Sequence, residues 1–375
     1  MIQFQYRLSV PCTLNEEMNA NMRQNGWASV LIRWYNQAKR DLPWRRTRDP
    51  YAVWISEIML QQTRVEAVIA YYRRFLHAFP TVRALADAPE QAVLKAWEGL
   101  GYYSRARNLH QAAKIVSGSL SGLFPASYAE LRKLPGIGDY TAGAIASIAF
   151  GEAVPAIDGN VKRVASRLFG IRENVNRPAV IREIRDTLTG AIPEGKASEF
   201  NQALMELGAT VCIPRAPRCE ACPLRLLCDA YAAGDAEALP MTEPKKPPRT
   251  VDVAVCLMTF QHTILLFKRK ERLLHNLYVF GLSEELTDPQ SALDYWAERG
   301  LSLRFLADLG GARHVFTHRI WEMRILHFEL LKDPDSAFLR EHDALLADSA
   351  QLKALPLPTA MKAAKQAALT ILESD

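Results

Sequence analysis

The chain has 375 residues, and its Lys and Arg exceed its Asp and Glu by 46 − 41 = +5. Apolar residues make up 49% and charged residues 23%, which excludes a largely disordered or collagen-like chain and, at roughly 150 residues per domain, predicts two or three domains. The charge is uneven: residues 1–232 hold 29 basic against 21 acidic side chains (+8), and residues 233–375 hold 17 against 20 (−3), so only the first part suits a polyanion in bulk.

Residues 1–25 are polar, with Glu16, Glu17 and several Asn and Gln, and are expected to form a disordered tail in which Met18 or Met22 is an alternative start. They lack the basic start and apolar core of a secretory leader. No run of about 18 apolar residues occurs, so no membrane span is expected and the cytoplasm is the default location. Helix-spaced apolar residues then recur in Trp27–Ala38, Pro50–Leu60, Val65–Phe79, Pro89–Trp97 and Ala106–Val116. They continue in Tyr128–Leu134, Tyr140–Phe150, Val161–Phe169, Ala179–Leu188 and Ser198–Leu207. Residues 26–233 thus read as one all-α region. Residues 234–250 read as a linker, because Pro240–Thr250 holds four prolines among interleaved charges. The period then changes. Strands are expected at Val251–Phe260, Thr263–Lys268, Leu277–Phe280, Leu303–Leu309 and Trp321–Leu331, and helices at Ser291–Arg299 and Pro358–Leu372. Residues 251–375 are therefore expected to form an α+β domain.

Four of the six cysteines, Cys212, Cys219, Cys222 and Cys228, follow a C-x6-C-x2-C-x5-C spacing, and the other two are isolated. That is a metal-binding pattern in a reducing compartment, not a disulfide framework. Four thiolates this close can wrap one tetrahedral or cubane centre, with zinc the general expectation for a structural site. Arg215, Arg218 and Arg225 lie in the same loop and suit either a phosphate grip or charge balance against the thiolates.

Pro135-Gly136-Ile137-Gly138 separates two helical stretches. Pro stops the first helix, the glycines permit positive φ, and the backbone N–H groups opening the next helix can hold a phosphate. Asp158 stands 158 − 138 = 20 residues after Gly138. It can cap the helix Val161–Phe169, or serve as an ionised carboxylate held low by the helix N-terminus and suited to a cationic sugar transition state. Glu57 stands among Trp54, Ile58 and Leu60, where burial would raise its pKa; an exposed helix surface is the commoner place for a glutamate.

The cysteine spacing resembles the [4Fe–4S] loop of the endonuclease III superfamily of DNA glycosylases, and the hairpin with Asp158 resembles its helix-hairpin-helix-Gly-Pro-Asp signature. Leu42–Arg45 with Pro50–Thr63, Gly99–Leu109 and Phe200–Ala209 resemble MutY-type adenine DNA glycosylases, and the resemblance runs over about Trp27–Tyr231. It implies a helix-hairpin-helix glycosylase region with a [4Fe–4S] cluster on the four cysteines. It implies a monomer acting on double-stranded DNA with A:8-oxoguanine or A:G mispairs. Glu57 would protonate adenine N7, and Asp158 would stabilise the oxocarbenium-like sugar. Tyr140 and Asn160 would hold Asp158 and the sugar. Trp44, Arg45, Leu60 and Gln202 would line the pocket of the flipped-out base. Gln62 and Tyr102, helped by Leu100, would wedge into the duplex; Pro135, Gly136, Ile137, Gly138 and Lys162 would contact phosphate. Lys162 is also an alternative reactive amine. Lyase relatives carry a nucleophilic lysine where this chain has Tyr140, so strand cleavage is not expected.

Residues 251–375 resemble the family's Nudix-like C-terminal domain. They lack the glutamate array of a Nudix hydrolase after Gly281, which argues against nucleotide hydrolysis. Within Arg313–His318, Phe316, Thr317 and His318 would inspect 8-oxoguanine. Leu277–Phe280 departs from the family in lacking a preceding Gly-Gly. The alternatives are an endonuclease III-type oxidised-pyrimidine glycosylase/lyase and a non-catalytic DNA-binding protein.

Overall fold

The structure, a computed structural model, describes residues 26–244 and 247–374; the tail expected over residues 1–25 lies outside them. Helices come first: α1 (Trp27–Ala38), α2 (Pro50–Leu60), α3 (Val65–Ala78), α4 (Val82–Asp87), α5 (Glu90–Ala96) and α6 (Ser104–Ser119). They continue with α7 (Tyr128–Leu131), α8 (Asp139–Ala149), α9 (Gly159–Leu168), α10 (Pro178–Ala191), α11 (Ala197–Thr210) and α12 (Asp229–Ala233). Every helix expected from periodicity in this stretch is present, with ends shifted by at most three residues. The six-residue α4 carries too little periodicity to be read. The start of α2 shows why such ends are legible. Asp49 accepts from the backbone N–H of Tyr51 and Ala52, both at 3.2 Å, and Pro50 takes the first position, where no N–H is needed. Tyr51 to Met59 are all buried, so α2 is enclosed on every side.

The described residues divide into two compact units. The first holds residues up to Ile69 together with Gly118–Pro244; the second holds Ala70–Ser117 together with the C-terminal sheet region. In the first, α11 packs against α1, α8 and α9, and α2 packs against α8. Its core is centred on Trp27, whose ring lies 5.5 Å from Phe200 and 5.7 Å from Phe169. The stretch expected as a linker begins docked in this unit, where Met241 bridges to Asn174 and accepts from the Val175 N–H at 3.1 Å.

The second unit carries a mixed sheet of β1 (Arg249–Phe260), β2 (Thr263–Lys268), β3 (Tyr278–Val279), β4 (Gly281–Glu284), β5 (Leu303–Val315), β6 (Arg319–Leu330) and β7 (Ala344–Ala347). The order is β3-β2-β1-β6-β5, with β4 on β1 and β7 on β2; β1 and β6 run parallel and the other pairs antiparallel. Val253, Val255 and Leu257 face one core, and Ala254, Cys256 and Met258 the other. A strand buried on both faces reads as a continuous apolar run, as β1 does. Helix α13 (Pro289–Ala297) covers one face through Trp296, and α16 (Lys362–Glu373) the other through Ala364 and Ala368; α14 (Ser336–Glu341) and α15 (Ser349–Ala354) complete the layers. The expected α+β class is thus present. The expected strand Leu277–Phe280 is present only as the two-residue β3, and the chain continues past it into β4, which pairs with a different neighbour. β5 runs six residues beyond its expected end at Leu309, because Gly310 takes φ +94° inside a bulge that bends the strand without ending it. Helices 70–117 join the sheet through specific bonds: Arg107 donates to the His275 carbonyl (2.9 Å), Asn276 to Glu90 (2.8 Å) and Lys95 to the Lys353 carbonyl (2.6 Å).

Candidate active site

In the first unit, the packing of α2, α8, α9 and α11 leaves a cavity of about 190 Å³. Trp44 and Arg45 enter it from the 3-10 turn Pro43–Arg45, Glu57 and Leu60 from α2, Tyr140 from α8, Asp158 and Asn160 from the start of α9, and Gln202 from α11. All eight residues expected to form the catalytic group and base pocket therefore line one cavity.

Glu57 is 4% exposed, and its Oε2 accepts from the Tyr140 hydroxyl at 2.5 Å. Burial pushes its pKa up to about 7, the Asp158 carboxylate adds to the rise, and the Tyr140 hydrogen bond and the Arg45 charge pull it back. Asp158 caps α9: Oδ1 accepts from the Val161 N–H at 2.7 Å, and Oδ2 from Asn160 Nδ2 at 2.9 Å. Sequence alone has the helix N-terminus holding this carboxyl low. In the structure its pKa is raised, because enclosure outweighs the cap donors and the nearby Arg163. Tyr140 also departs from expectation. Its hydroxyl donates to Glu57 and lies 3.3 Å from the Met205 sulfur, so Asn160, not Tyr140, is the side chain hydrogen-bonded to Asp158. Burial and both carboxylates raise the Tyr140 pKa well above the ordinary tyrosine value, so it remains a donor.

Two further charged groups, Glu206 and Arg40, are not singled out by sequence reasoning. Glu206, with a side chain 0% exposed, accepts from Arg45 Nη2 at 2.7 Å and from Arg40 through the backbone N (3.0 Å), Nε (2.9 Å) and Nη2 (2.8 Å). Burial alone would raise its pKa, but the two arginines bring it down to about 2. Arg45 also donates to the Arg40 carbonyl (3.0 Å) and lies over the Tyr35 ring (5.4 Å). The Tyr35 hydroxyl donates to Gln202 Oε1 (3.1 Å), and Gln202 donates to Ser198 (3.1 Å). The available signal was the spacing of Gln202 and Glu206, four residues apart on one helix face.

The hairpin lies where expected, between α7 and α8, with the Ile137 N–H donating to the Leu134 carbonyl (3.2 Å). Of the two glycines expected to permit positive φ, Gly136 uses it (+74°), and Gly138 is extended and caps α8. Lys162 is half-buried and donates to Asn176 (3.1 Å); burial lowers its pKa. Gln62 is exposed, with φ +57°. Arg215 and Arg218 are exposed, whereas Arg225 pairs with Glu220 and lies over Tyr231.

Cys212, Cys219, Cys222 and Cys228 ring one cavity. Burial raises the thiol pKa of Cys219, Cys222 and Cys228, the Cys222 thiol to about 12, and neighbouring thiolates add to each rise. Four cysteine sulfurs around one space are a donor set that fits a thiolate-ligated centre, whose charge would bring the thiols to the thiolate form. Among the described residues, no group of three or more His, Cys, Asp or Glu is arranged to hold a single metal ion.

In the second unit, Leu100, Tyr102, Phe316, Thr317 and His318 line one cavity of about 540 Å³. Tyr102 is 48% exposed at φ +47°, and its hydroxyl lies 3.2 Å from Thr317 Oγ1. Phe316 packs edge-on to His314 and Trp321, while Thr317 and His318 are exposed. Leu100 is buried. Among the described residues, no helix is long and apolar enough to cross a membrane.

Residues 55–189 match the model of the HhH-GPD superfamily of base excision DNA repair proteins. The chain is 32% identical over 296 residues to an adenine DNA glycosylase of Buchnera aphidicola subsp. Acyrthosiphon pisum, covering 78% of this chain and 84% of that one. It is 44% identical over 203 residues to the adenine DNA glycosylase of Buchnera aphidicola subsp. Baizongia pistaciae, and 45% identical over 218 residues to that of Homo sapiens. Those matches take in 54% and 56% of this chain, and span 57% and 40% of the relatives' lengths. Among solved structures, a thermostable thymine-DNA glycosylase is similar at 31% identity with a TM-score of 0.53, over 57% of this chain and 99% of that one.

Proposed function

The chain belongs to the adenine DNA glycosylase family, and on that premise we propose that it hydrolyses the N-glycosidic bond of adenine mispaired with 8-oxoguanine or guanine in double-stranded DNA. The observation that carries this reading is the enclosed carboxyl of Glu57, hydrogen-bonded by Tyr140 and raised by burial to a pKa of about 7, beside the capped carboxyl of Asp158. The cavity of about 190 Å³ is smaller than the roughly 300–1,000 Å³ typical of pockets for larger ligands, as suits one base swung out of a duplex.

Glu57 gives its proton to adenine N7, and the C1′–N9 bond breaks with its electron pair leaving on the base. Asp158 stabilises the cationic sugar, held in place by Asn160 and the Val161 N–H. Water adds to C1′ and returns a proton to Glu57. Arg45, Trp44, Leu60 and Gln202 enclose the base. No amine stands at the Tyr140 position, so the reaction ends at the abasic site without strand cleavage. The Pro135–Gly138 turn and Lys162 hold phosphate. Gln62, Leu100 and Tyr102 fill the duplex where stacking is lost. Residues 251–375 serve as a Nudix-like region in which Phe316, Thr317 and His318 read 8-oxoguanine, and residues 234–250 join it to the glycosylase region over 26–233.

The four cysteines would hold a [4Fe–4S] cluster, whose contribution is to tie a loop that has little core of its own. Iron and sulfide lost together in Cys222→Ser would support this; stoichiometric zinc in colourless protein would refute it. The decisive assay is release of free adenine from A:8-oxoguanine, A:G, A:T and thymine-glycol duplexes. Release from the first two, abolished by Glu57→Gln, is expected. Nicking at thymine glycol without alkali would instead favour an endonuclease III-type lyase.

A further inference from the structure

We propose that Glu206 is a positioning residue that keeps Arg45 turned away from Glu57, so that Glu57 remains a proton donor. The inference rests on the glycosylase reading above and adds to it a residue that does not touch the base chemistry. Arg45 is 12% exposed on its side chain and has three anchors: Glu206 Oε2 at 2.7 Å, the Arg40 carbonyl at 3.0 Å and the Tyr35 ring at 5.4 Å. Of these, Glu206 is the anionic one. The charged and titratable groups facing Glu57 are Tyr140 from α8, Asp158 from the start of α9 and Arg45 from the turn before α2, with Arg40 and Glu206 on the same cavity wall. Arg45 already pulls Glu57 toward its ionised form. If Glu206 loses its charge, the enclosed guanidinium must find another carboxylate, and Glu57 and Asp158 are the ones lining the cavity. A pair between Arg45 and Glu57 would strip Glu57 of the proton it is to donate.

The experiment is the single-turnover rate of adenine release from an A:8-oxoguanine duplex across pH. A wild-type alkaline limb near neutrality, together with loss of release in Glu57→Gln at every pH, tests the underlying reading; without both, that reading fails first. Glu206→Gln keeps the shape and removes the charge. Its alkaline limb is expected to move down by about one unit or more, a deficit of roughly tenfold above neutrality that closes in acid. Glu206→Asp, which keeps the charge, should restore the limb. Glu206→Gln with Arg45→Gln should also return it, even where the absolute rate is low. A deficit equal at every pH, or a limb that stays low in the double variant, overturns the proposal. Should Glu206→Gln fail to fold, Arg40→Gln decides: it leaves Arg45 as the one guanidinium on Glu206, beside the residue-40 backbone N–H, so the limb should stay or rise, and a downward move refutes the role.

Discussion

Replacing Glu57 by Gln should abolish activity and at the same time stabilise the protein, in a way that depends on pH. The Glu57 pKa rises from an ordinary 4.5 to about 7 on folding, because the carboxyl is enclosed. The folded state therefore holds the proton more tightly than the unfolded state. The stability this gives is fully present below about pH 4.5 and is lost as pH rises through 7. At about 1.4 kcal/mol per unit, the wild type loses about 3 kcal/mol across that window through this one group. A glutamine in its place has no proton to lose, and its amide oxygen can still accept from Tyr140. The variant should match the wild type to within a small constant near pH 5 and exceed it by about 3 kcal/mol near pH 8, or roughly 6–12 °C in the melting of the helical unit. Calorimetry from pH 5 to 8.5 on both proteins measures the difference directly. Asp158 is present in both, so most of its own titration cancels. A gap that stays constant with pH, or narrows as pH rises, would refute the claim that Glu57 is held protonated by burial.

Asp158→Asn should slow adenine release by about 100-fold or more while leaving thermal stability near neutrality within about 0.5 kcal/mol, because Asn caps a helix as well as Asp does; a collapse in melting temperature would show that the carboxylate is structural. In Gly208→Ala, the new Cβ would lie 2.7 Å from Asn160 Cβ and 3.3 Å from its backbone, displacing the side chain that holds Asp158. Overpacking of about 1–3 kcal/mol, less the roughly 1 kcal/mol that Ala contributes in a helix, leaves a modest net loss of stability and slower release; unchanged rates would argue against Asn160 as the holder. Thr317→Val removes the hydroxyl 3.2 Å from Tyr102 and should change the preference for A:8-oxoguanine over A:G without altering the salt slope of DNA binding. A changed slope with intact preference would place Thr317 on phosphate.

What can be read from the sequence divides by the range of the interactions. The ends of α2 and β2 match expectation because local chemistry sets them: an Asp-Pro start in one case, and a two-residue turn with Gln261 at φ +50° in the other. The extent of β5 differs from expectation because Gly310 and Gly311 look like a stop and act as a bulge. The grouping of residues 70–117 with the sheet is illegible in sequence, since it depends on side chains meeting backbone carbonyls more than 160 residues away, as Arg107 does at His275. Glu206 is hidden for the same reason: Arg45 stands 161 residues from it.

The two catalytic carboxyls show the same division in energetic form. For Glu57 the decisive influence, burial, is visible because its own helix is apolar on every side, and the direction of its pKa follows. For Asp158 the local helix cap is visible and the enclosing walls are not, so the expected direction is reversed. Both carboxyls are enclosed, and the charge of Asp158 makes Glu57 harder still to ionise. They differ in their donors. Asp158 accepts from a helix N-terminus and from Asn160, groups that favour its charge, whereas Glu57 accepts from Tyr140 and has its nearest cation, Arg45, held by Glu206. The proton of the pair therefore rests on Glu57 and the charge on Asp158, the assignment that adenine departure requires.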